Sequence, residues 1–97
     1  MFINVKQFKK DMLTVLKANK YSCRVFFSVN SGVNMVVDKA TIKVMWCRHE
    51  FILHVGRARY VVPYKNITTY SLHDVGGDTK GIVISLIDDY LLIRNWR

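Results

Sequence analysis

The sequence predicts an α+β fold, in which an N-terminal helix packs on a strongly bent antiparallel β-sheet of six or seven strands. Apolar residues recur at helical spacing only near the N terminus, and from residue 21 onward they alternate with polar residues in short segments. No second helical segment provides the crossovers that parallel strands require. A sheet with one helix must cover its apolar face by curling, so we expect a small-barrel or half-barrel arrangement.

The N-terminal helix has clear start and stop signals. Asn4 can cap it, and Gln7, three residues later, can return a bond to the cap. Ile3 and Phe8 occupy the two positions of a hydrophobic staple, and Asn19 suits a left-handed residue at the C-terminal end. We therefore predict a helix over about residues 4–19. Its apolar stripe comprises Val5, Phe8, Met12, Val15 and Leu16.

Period-two segments bounded by turn-forming residues predict the strands that follow. Strands are expected at residues 21–30, 33–37, 41–47, 51–55, 58–62 and 67–72, with turns at 30–32, 38–39, 48–50 and 56–57. Pro63 lacks a backbone N–H, so the strand over 58–62 either ends there or lies at a sheet edge.

The C-terminal third is more ambiguous. Residues 75–80 contain Gly76 and Gly77 and are expected to form a loop. In residues 81–97, the β-branched run Ile82–Ile84 favours a strand, and Asp88-Asp89 suits a hairpin turn before Tyr90–Ile93. A C-terminal helix is the competing interpretation.

Length and composition favour a single domain over residues 1–97, because 51% of the residues are hydrophobic and no Pro-rich or Gly/Ser-rich linker occurs. The N-terminal segment lacks the features of a signal peptide, and no apolar stretch approaches the ~20 residues that span a bilayer. We therefore expect a cytoplasmic protein without a membrane span. Cys23 and Cys47 each fall in a predicted strand and are expected to be reduced thiols.

No residue pattern indicates an enzyme or a cofactor. No serine lies in a nucleophile elbow, and nothing in the predicted strands places Cys47 beside His54 as a nucleophile and its base. Cys47, His49 and His54 supply three zinc-ligand types within eight residues, but the second close pair of a structural zinc site is missing. Asp88-Asp89 is an isolated acidic pair. We expect no catalytic residue and no bound metal.

Positive charge is concentrated in the first 65 residues, where twelve Lys and Arg face three acids, Asp11, Asp38 and Glu50. This segment is therefore +9 by count (12 − 3), and residues 66–97 are −1 (3 − 4). Such a field attracts polyanions. The basic residues divide between a helix face and an aromatic-containing sheet corner. The candidate binding residues are Lys6, Lys9, Lys10, Lys17, Lys20, Arg24, Lys43, Arg48, Arg57, Arg59, Tyr60, Tyr64 and Lys65.

The order of one helix followed by bent strands resembles Sm-like and SH3-like small barrels. The stretch over residues 60–67 is similar to a corner found in small β-barrels and in bacterial pleckstrin-like domains. The strand over 33–37 lacks the glycine of the Sm-like pattern, and a long tail follows. The chain is therefore assigned to no family, and no functional residues are carried over.

Three functions are compatible with these features. The first is a non-enzymatic nucleic-acid-binding module for RNA or single-stranded DNA, in which Arg and Lys contact phosphates and tyrosines stack on bases. The second is a small inhibitor of the kind encoded by phages and mobile elements, which binds an acidic surface of a host protein or nucleoprotein. The third is a lipid-headgroup module. A homodimer is an open alternative in the first case.

Overall fold

The computed structural model describes residues 3–29, 33–74, 80–87 and 89–94. It contains one helix and seven strands over this part of the chain. These are α1 (Val5–Ala18), β1 (Ser22–Val29), β2 (Val33–Trp46), β3 (Glu50–Val55), β4 (Ala58–Pro63), β5 (Ile67–Asp74), β6 (Lys80–Leu86) and β7 (Tyr90–Arg94), with a 3-10 turn at Tyr64–Asn66 between β4 and β5. The fold class is α+β, as expected. Within the described ranges, no helix has the length and apolar character needed to cross a membrane.

The helix begins as the sequence predicts, because the Asn4 side chain accepts a hydrogen bond from the Gln7 backbone N–H at 3.1 Å. The return bond of the capping box is missing, since the Gln7 side chain donates instead to the Asp11 carboxylate at 3.0 Å. The helix is therefore capped by one of the two bonds of the box.

The C-terminal end of α1 differs from the prediction. Asn19 has φ −99, and the left-handed residues are Lys20 (φ 55) and Tyr21 (φ 58). The Tyr21 N–H donates to the Leu16 carbonyl at 2.8 Å and the Lys20 N–H to the Lys17 carbonyl at 3.0 Å, which is the bond pattern of a Schellman motif. The expected left-handed Asn19 is wrong by one position, because Lys20 occupies the place where glycine is usual.

The strands form one antiparallel sheet in the order β4-β3-β2-β1-β7-β6-β5. The sheet is not closed, since β4 and β5 are its two edges. It is nevertheless curved, because β4 ends at Pro63 and β5 begins at Ile67. Six strand spacings in a flat sheet would separate the edges by about 29 Å, whereas four residue steps reach at most about 14 Å. The short connection therefore requires the two edges to approach each other at this end.

Strand β2 corrects the expected turn at Asp38-Lys39. The chain runs through this point as one strand whose first part pairs with β1, from Val33 to Thr41, and whose last part pairs with β3, from Ile42 to Trp46. Lys39 takes φ 51, and the register of β1 shifts across the same place. An irregularity of this kind bends a strand without ending it, so the two separate strands predicted here are one.

The C-terminal segment forms a hairpin, as the preferred interpretation predicted, and the competing helix is wrong. β6 and β7 pair with Ile82 opposite Ile93 and Ile84 opposite Leu91, and all four side chains are buried. The Leu86 N–H donates to the Asp89 carbonyl at 2.8 Å. Asp88, the turn predicted at 30–32 and residues 75–79 of the predicted loop lie outside the described residues.

The core lies between the helix and the concave face of the sheet. The helix contributes Phe8, Met12, Val15 and Leu16, each at most 1% exposed, and burial of such side chains stabilises a fold by roughly 1.5–3 kcal/mol each. The Phe8 ring contacts Tyr70 of β5 at 5.0 Å, Phe51 of β3 at 5.5 Å and Trp46 of β2 at 6.1 Å between centroids. One helical side chain therefore joins strands from both ends of the sheet.

Candidate nucleic-acid interface

The outer face of β2, β3 and β4 carries a row of basic side chains. The registers place Lys43 opposite His54 and His54 opposite Arg59. Directly opposed residues point to the same side of a sheet, with Cβ atoms about 5 Å apart. Val44 and Leu53, which are next to Lys43 and His54 in sequence, point to the concave side, where the core lies. We call Lys43, His54 and Arg59 the basic strip. Arg57 lies beside it, in the two-residue turn that joins β3 to β4.

An apolar band lies next to the basic strip on the same outer face. It consists of Met45, Ile52 and Val61, which oppose one another across the three strands. Met45 is 54% exposed and Val61 47% exposed, while Ile52 between them is 8% exposed. Two large apolar side chains thus remain uncovered on a face that contains no helix.

A second basic region, which we call the basic cavity, lies at the other end of this face. Arg48, His49 and Lys65 line a cavity together with Glu50, Pro63 and Tyr64. The Tyr64 backbone N–H donates to the His49 carbonyl at 3.0 Å, and its hydroxyl donates to the Cys47 carbonyl at 3.0 Å. These bonds fix the β2–β3 turn against the chain after β4. The outer face therefore runs from basic, through apolar, to basic.

Of the α1 lysines, Lys9 lies on the flank of the helix that faces β2. Lys9 Nζ lies 5.4 Å from the centroid of the Trp46 ring, a cation–π contact. The opposite flank faces β5, because the Tyr70 hydroxyl donates to the Asp11 carboxylate at 2.6 Å. Lys6, Lys10 and Lys17 are exposed on the outer side of the helix, and Lys20 is exposed in its C-terminal motif.

The two predicted basic patches lie on opposite faces of the sheet, and of their residues Lys43 lines the groove between α1 and β2. A groove between α1 and β2 is lined by Leu13 and Leu16 of the helix, by Tyr21, and by residues 41–44 of the strand. Lys43 belongs to both the groove and the basic strip. Because α1 covers the concave face and the basic strip lies on the convex face, the helix lysines and the strip lie on different faces of the sheet.

The two predicted stacking tyrosines are not available for stacking. Tyr60 points to the concave side, where its ring stacks on Phe27 with centroids 4.1 Å apart. Tyr64 is only 8% exposed. The prediction that these two rings are exposed for stacking on bases is wrong. The alternation along β4 indicates the inward direction of Tyr60. Arg59 and Val61 point outward, whereas Tyr60 is in phase with the buried Val62.

Arg24 lies away from the basic strip. It forms an ion pair with Asp38 on the outer face of β1, and its opposed position on β7 is Arg94. Asp38 lowers the net charge of this region. Of the candidate residues, Lys43, Arg57 and Arg59 therefore group together, Arg48 and Lys65 form the second group, and Arg24 belongs to neither.

Three residues of this face were not predicted from the sequence. His54, Met45 and Val61 were not candidates, although their alternation phase matches that of Lys43 and Arg59. The pairing register places His54 between the two cations. The register itself requires knowledge of which strands pair.

Side chains suited to metal binding are scattered in the described ranges, where no three His, Cys, Asp or Glu residues form a group that could hold an ion. Cys23 is buried, and burial raises its thiol pKa to about 11, while Cys47 is half-buried. Burial also raises the pKa of the Tyr64 hydroxyl, and the nearby Cys47 and Glu50 add to that shift.

No protein-family model matches this sequence, and no curated protein or solved structure is significantly similar to it. The interpretation of the interface therefore depends on its own residues.

Proposed function

We propose that the protein is a non-enzymatic module that binds RNA or single-stranded DNA across the outer face of β2, β3 and β4. The observation that carries this proposal is the order of the surface, with the basic strip and the basic cavity on either side of the apolar band. We further propose that the curved sheet acts as a half-barrel whose convex side is this binding face.

The basic strip would contact phosphates. Arg59 can hold a phosphate by two parallel hydrogen bonds, and Lys43 acts as a point charge beside it. Asp38 and Asp11 lie elsewhere, since Asp38 pairs with Arg24 and Asp11 bonds to Tyr70, and Glu50 lines the cavity at the other end of this face. Phosphates at the strip therefore meet cations that are not neutralised by a neighbouring acid.

The apolar band would contact bases. Unpaired bases expose their faces, and in many single-strand binders they pack on aromatic rings. Here the tyrosines point inward, so Met45 and Val61 are the side chains on this face that offer apolar contact. Because this contact does not depend on hydrogen bonds to base edges, we expect weak sequence preference.

The proposal is tested by fluorescence anisotropy with labelled single-stranded RNA and DNA oligonucleotides. Affinity should fall steeply as salt rises, because each neutralised phosphate releases counterions. The double variant Lys43→Gln/Arg59→Gln removes two phosphate contacts and should reduce the slope of log affinity against log salt by about 1.4 for a single strand.

Lys39→Gln is the control. It removes one positive charge from the bend of β2, outside the basic strip, and should change the slope little. Met45→Ser should weaken binding without changing the slope. Failure to bind either nucleic acid at about 50 mM salt, at the ~10⁻⁶ M affinity expected of non-specific binders, would contradict the proposal.

An acidic protein surface is the second candidate partner, and the exposed apolar band favours it. Protein interfaces combine uncovered apolar side chains with a charged rim, and a host-directed inhibitor would use the same face. Affinity capture from a lysate with and without nuclease separates the two candidates. A partner retained after nuclease treatment favours protein binding, whereas nuclease-sensitive capture favours the first proposal. Analytical ultracentrifugation tests the homodimer.

A further inference from the structure

Part of β2 has a free backbone edge. The Cys47 N–H donates to the Glu50 carbonyl, and the Gly56 N–H donates to the Thr41 carbonyl. In an antiparallel pair, bonded and non-bonded positions alternate, so the odd-numbered residues of β2 direct their backbone groups at β3. The even-numbered residues direct theirs to the opposite side.

Among the described residues, that opposite side has no strand partner beyond Ile42. The Ile42 N–H donates to the Tyr21 carbonyl at 2.9 Å, and β1 begins at Ser22, which opposes Thr41. The backbone groups of Val44 and Trp46 therefore point into the space between β2 and α1. Within the described residues, no backbone hydrogen bond satisfies the N–H of either one.

This space is the apolar groove described above. Leu13 and Leu16 form the helix wall, Tyr21 forms one end, and Thr41 to Val44 form the strand wall. Lys9 on the Trp46 ring limits the other end. Tyr21 reaches its position through the left-handed backbone at Lys20 and Tyr21 that ends the helix.

The rim of the groove is basic. Lys43 lies on the strand side and is exposed, and Lys9 lies on the helix flank that faces β2. The nearest described acids are directed elsewhere, with Asp11 bonded to Tyr70 and Asp38 paired with Arg24. An occupant with negative side chains would therefore meet complementary charge.

We propose that this groove binds an acidic peptide segment in extended conformation, which adds to the free edge of β2 over residues 43–46. Its backbone would accept hydrogen bonds from the N–H groups of Val44 and Trp46 and donate to the Val44 carbonyl. One face of the peptide would pack on Leu13 and Leu16, and its acidic residues would meet Lys9 and Lys43. This is strand addition to an open edge, in which the backbone supplies affinity and alternate side chains supply specificity.

Other occupants fit these features less well. A nucleic-acid backbone lacks amide groups that match the spacing of strand N–H and C=O groups. A second copy of this chain carries the same net charge of +8, so its approach to a lysine-rimmed groove is opposed by repulsion.

The test uses a fluorescein-labelled peptide of alternating Asp and Val with blocked termini. Anisotropy should show binding, and amide hydrogen exchange measured by NMR should show the Val44 and Trp46 N–H groups exchanging rapidly in the free protein and slowly with peptide. A peptide N-methylated at alternate residues on its pairing edge loses backbone hydrogen bonds. It should therefore bind at least about 10-fold more weakly. A peptide of alternating Lys and Val should not bind.

Two variants locate the site. Leu13→Asp places a negative charge on the groove wall and should weaken peptide binding at least about 10-fold, whereas Leu72→Asp, the same substitution at an exposed position of β5 outside the groove, should change it less than about 2-fold. The proposal is overturned if binding leaves the Val44 and Trp46 amides unprotected, or if the N-methylated peptide binds equally well. Protection that grows with protein concentration in the absence of peptide would assign the groove to a second copy instead, and protection by RNA alone would assign it to nucleic acid.

Discussion

Lys20 occupies a backbone conformation that is costly for a residue with a Cβ atom. Its φ of 55 lies in the left-handed region, which costs an L-residue roughly 1–2 kcal/mol. The Schellman bonds of Lys20 and Tyr21 hold it there. The helix end therefore retains strain at a position where glycine would relieve it.

Lys20→Gly should consequently stabilise the protein by up to about 1 kcal/mol, because relief of strain outweighs the added entropy of the unfolded chain. Urea denaturation measures the change. Lys17→Gly, within the helix, is the comparison and should destabilise by about 1 kcal/mol. Destabilisation by Lys20→Gly would show that the lysine side chain makes a stabilising contact that exceeds the backbone strain.

Tyr70 makes stability sensitive to alkaline pH. Burial, the hydrogen bond to Asp11 and the Asp11 charge raise the pKa of its hydroxyl from 10.0 to about 12. A group whose pKa is raised by folding contributes stability that is fully present below its unfolded pKa and lost as pH rises through its folded pKa. The contribution of Tyr70 is therefore expected to be constant below about pH 10 and to disappear between about pH 10 and pH 12.

Tyr70→Phe tests this dependence. At neutral pH the variant should be less stable by about 1 kcal/mol, because the Asp11 carboxylate loses its donor. The difference from the unsubstituted protein should shrink above about pH 10, as Tyr70 ionises. Urea unfolding at several pH values measures it. A constant difference across this range would mean that the hydroxyl does not resist ionisation in the folded state.

At the scale of the secondary-structure elements, the β3–β4 hairpin depends on one glycine, Gly56. Gly56 has φ +59, the sign required at the first position of a two-residue type II′ turn. A Cβ at this position would meet no atom within 4 Å, so any cost of substitution comes from the backbone alone. The turn sets the register that aligns His54 with Arg59.

Gly56→Ala should therefore destabilise the protein by about 1–3 kcal/mol. It should also weaken nucleic-acid binding if the register of the basic strip is disturbed. Arg57→Ala is the control for stability and should fall within about 0.5 kcal/mol of the unsubstituted protein. Thermal unfolding followed by circular dichroism makes the comparison, and equal melting temperatures for Gly56→Ala and the parent would contradict the assigned turn.

Elements with local signals were predictable from the sequence. The Asn4 cap, the turn at Gly56-Arg57, the arrest of β4 at Pro63 and the C-terminal hairpin each follow from residues close in the chain. The continuity of β2 was not predictable in this way. Asp38-Lys39 has turn-forming composition, and the chain extends through it because both β1 and β3 are present to pair on either side of the bend.

The candidate site was predictable in composition but not in arrangement. Lys43 and Arg59 were identified from charge alone. Their alignment on either side of His54 follows from the pairing of both strands with β3. The direction of Tyr60 depends on Phe27, a residue of β1 that lies far away in sequence. Contacts of this range follow from the tertiary fold and leave no local pattern.

At the scale of the whole molecule, the Phe27–Tyr60 stack joins the two parts of the curved sheet across the core. Phe27 belongs to β1 and Tyr60 to β4, two strands that are separated in the sheet by β2 and β3. A double-mutant cycle with Phe27→Leu and Tyr60→Leu should give a coupling free energy of about 0.5–1.5 kcal/mol. Additive effects would show that the two rings do not stabilise each other.

The position of β7 has a consequence for synthesis on the ribosome. β1 is an early strand, and one of its neighbours, β7, places Phe26 opposite Leu92. At translation rates of ~5–20 residues per second, several seconds pass between the emergence of these two partners. During that interval β1 has an unsatisfied edge that bears the apolar side chains of Val25 and Phe27. The nascent chain is then at its most prone to mispairing, and the emergence and pairing of β7 end the exposure.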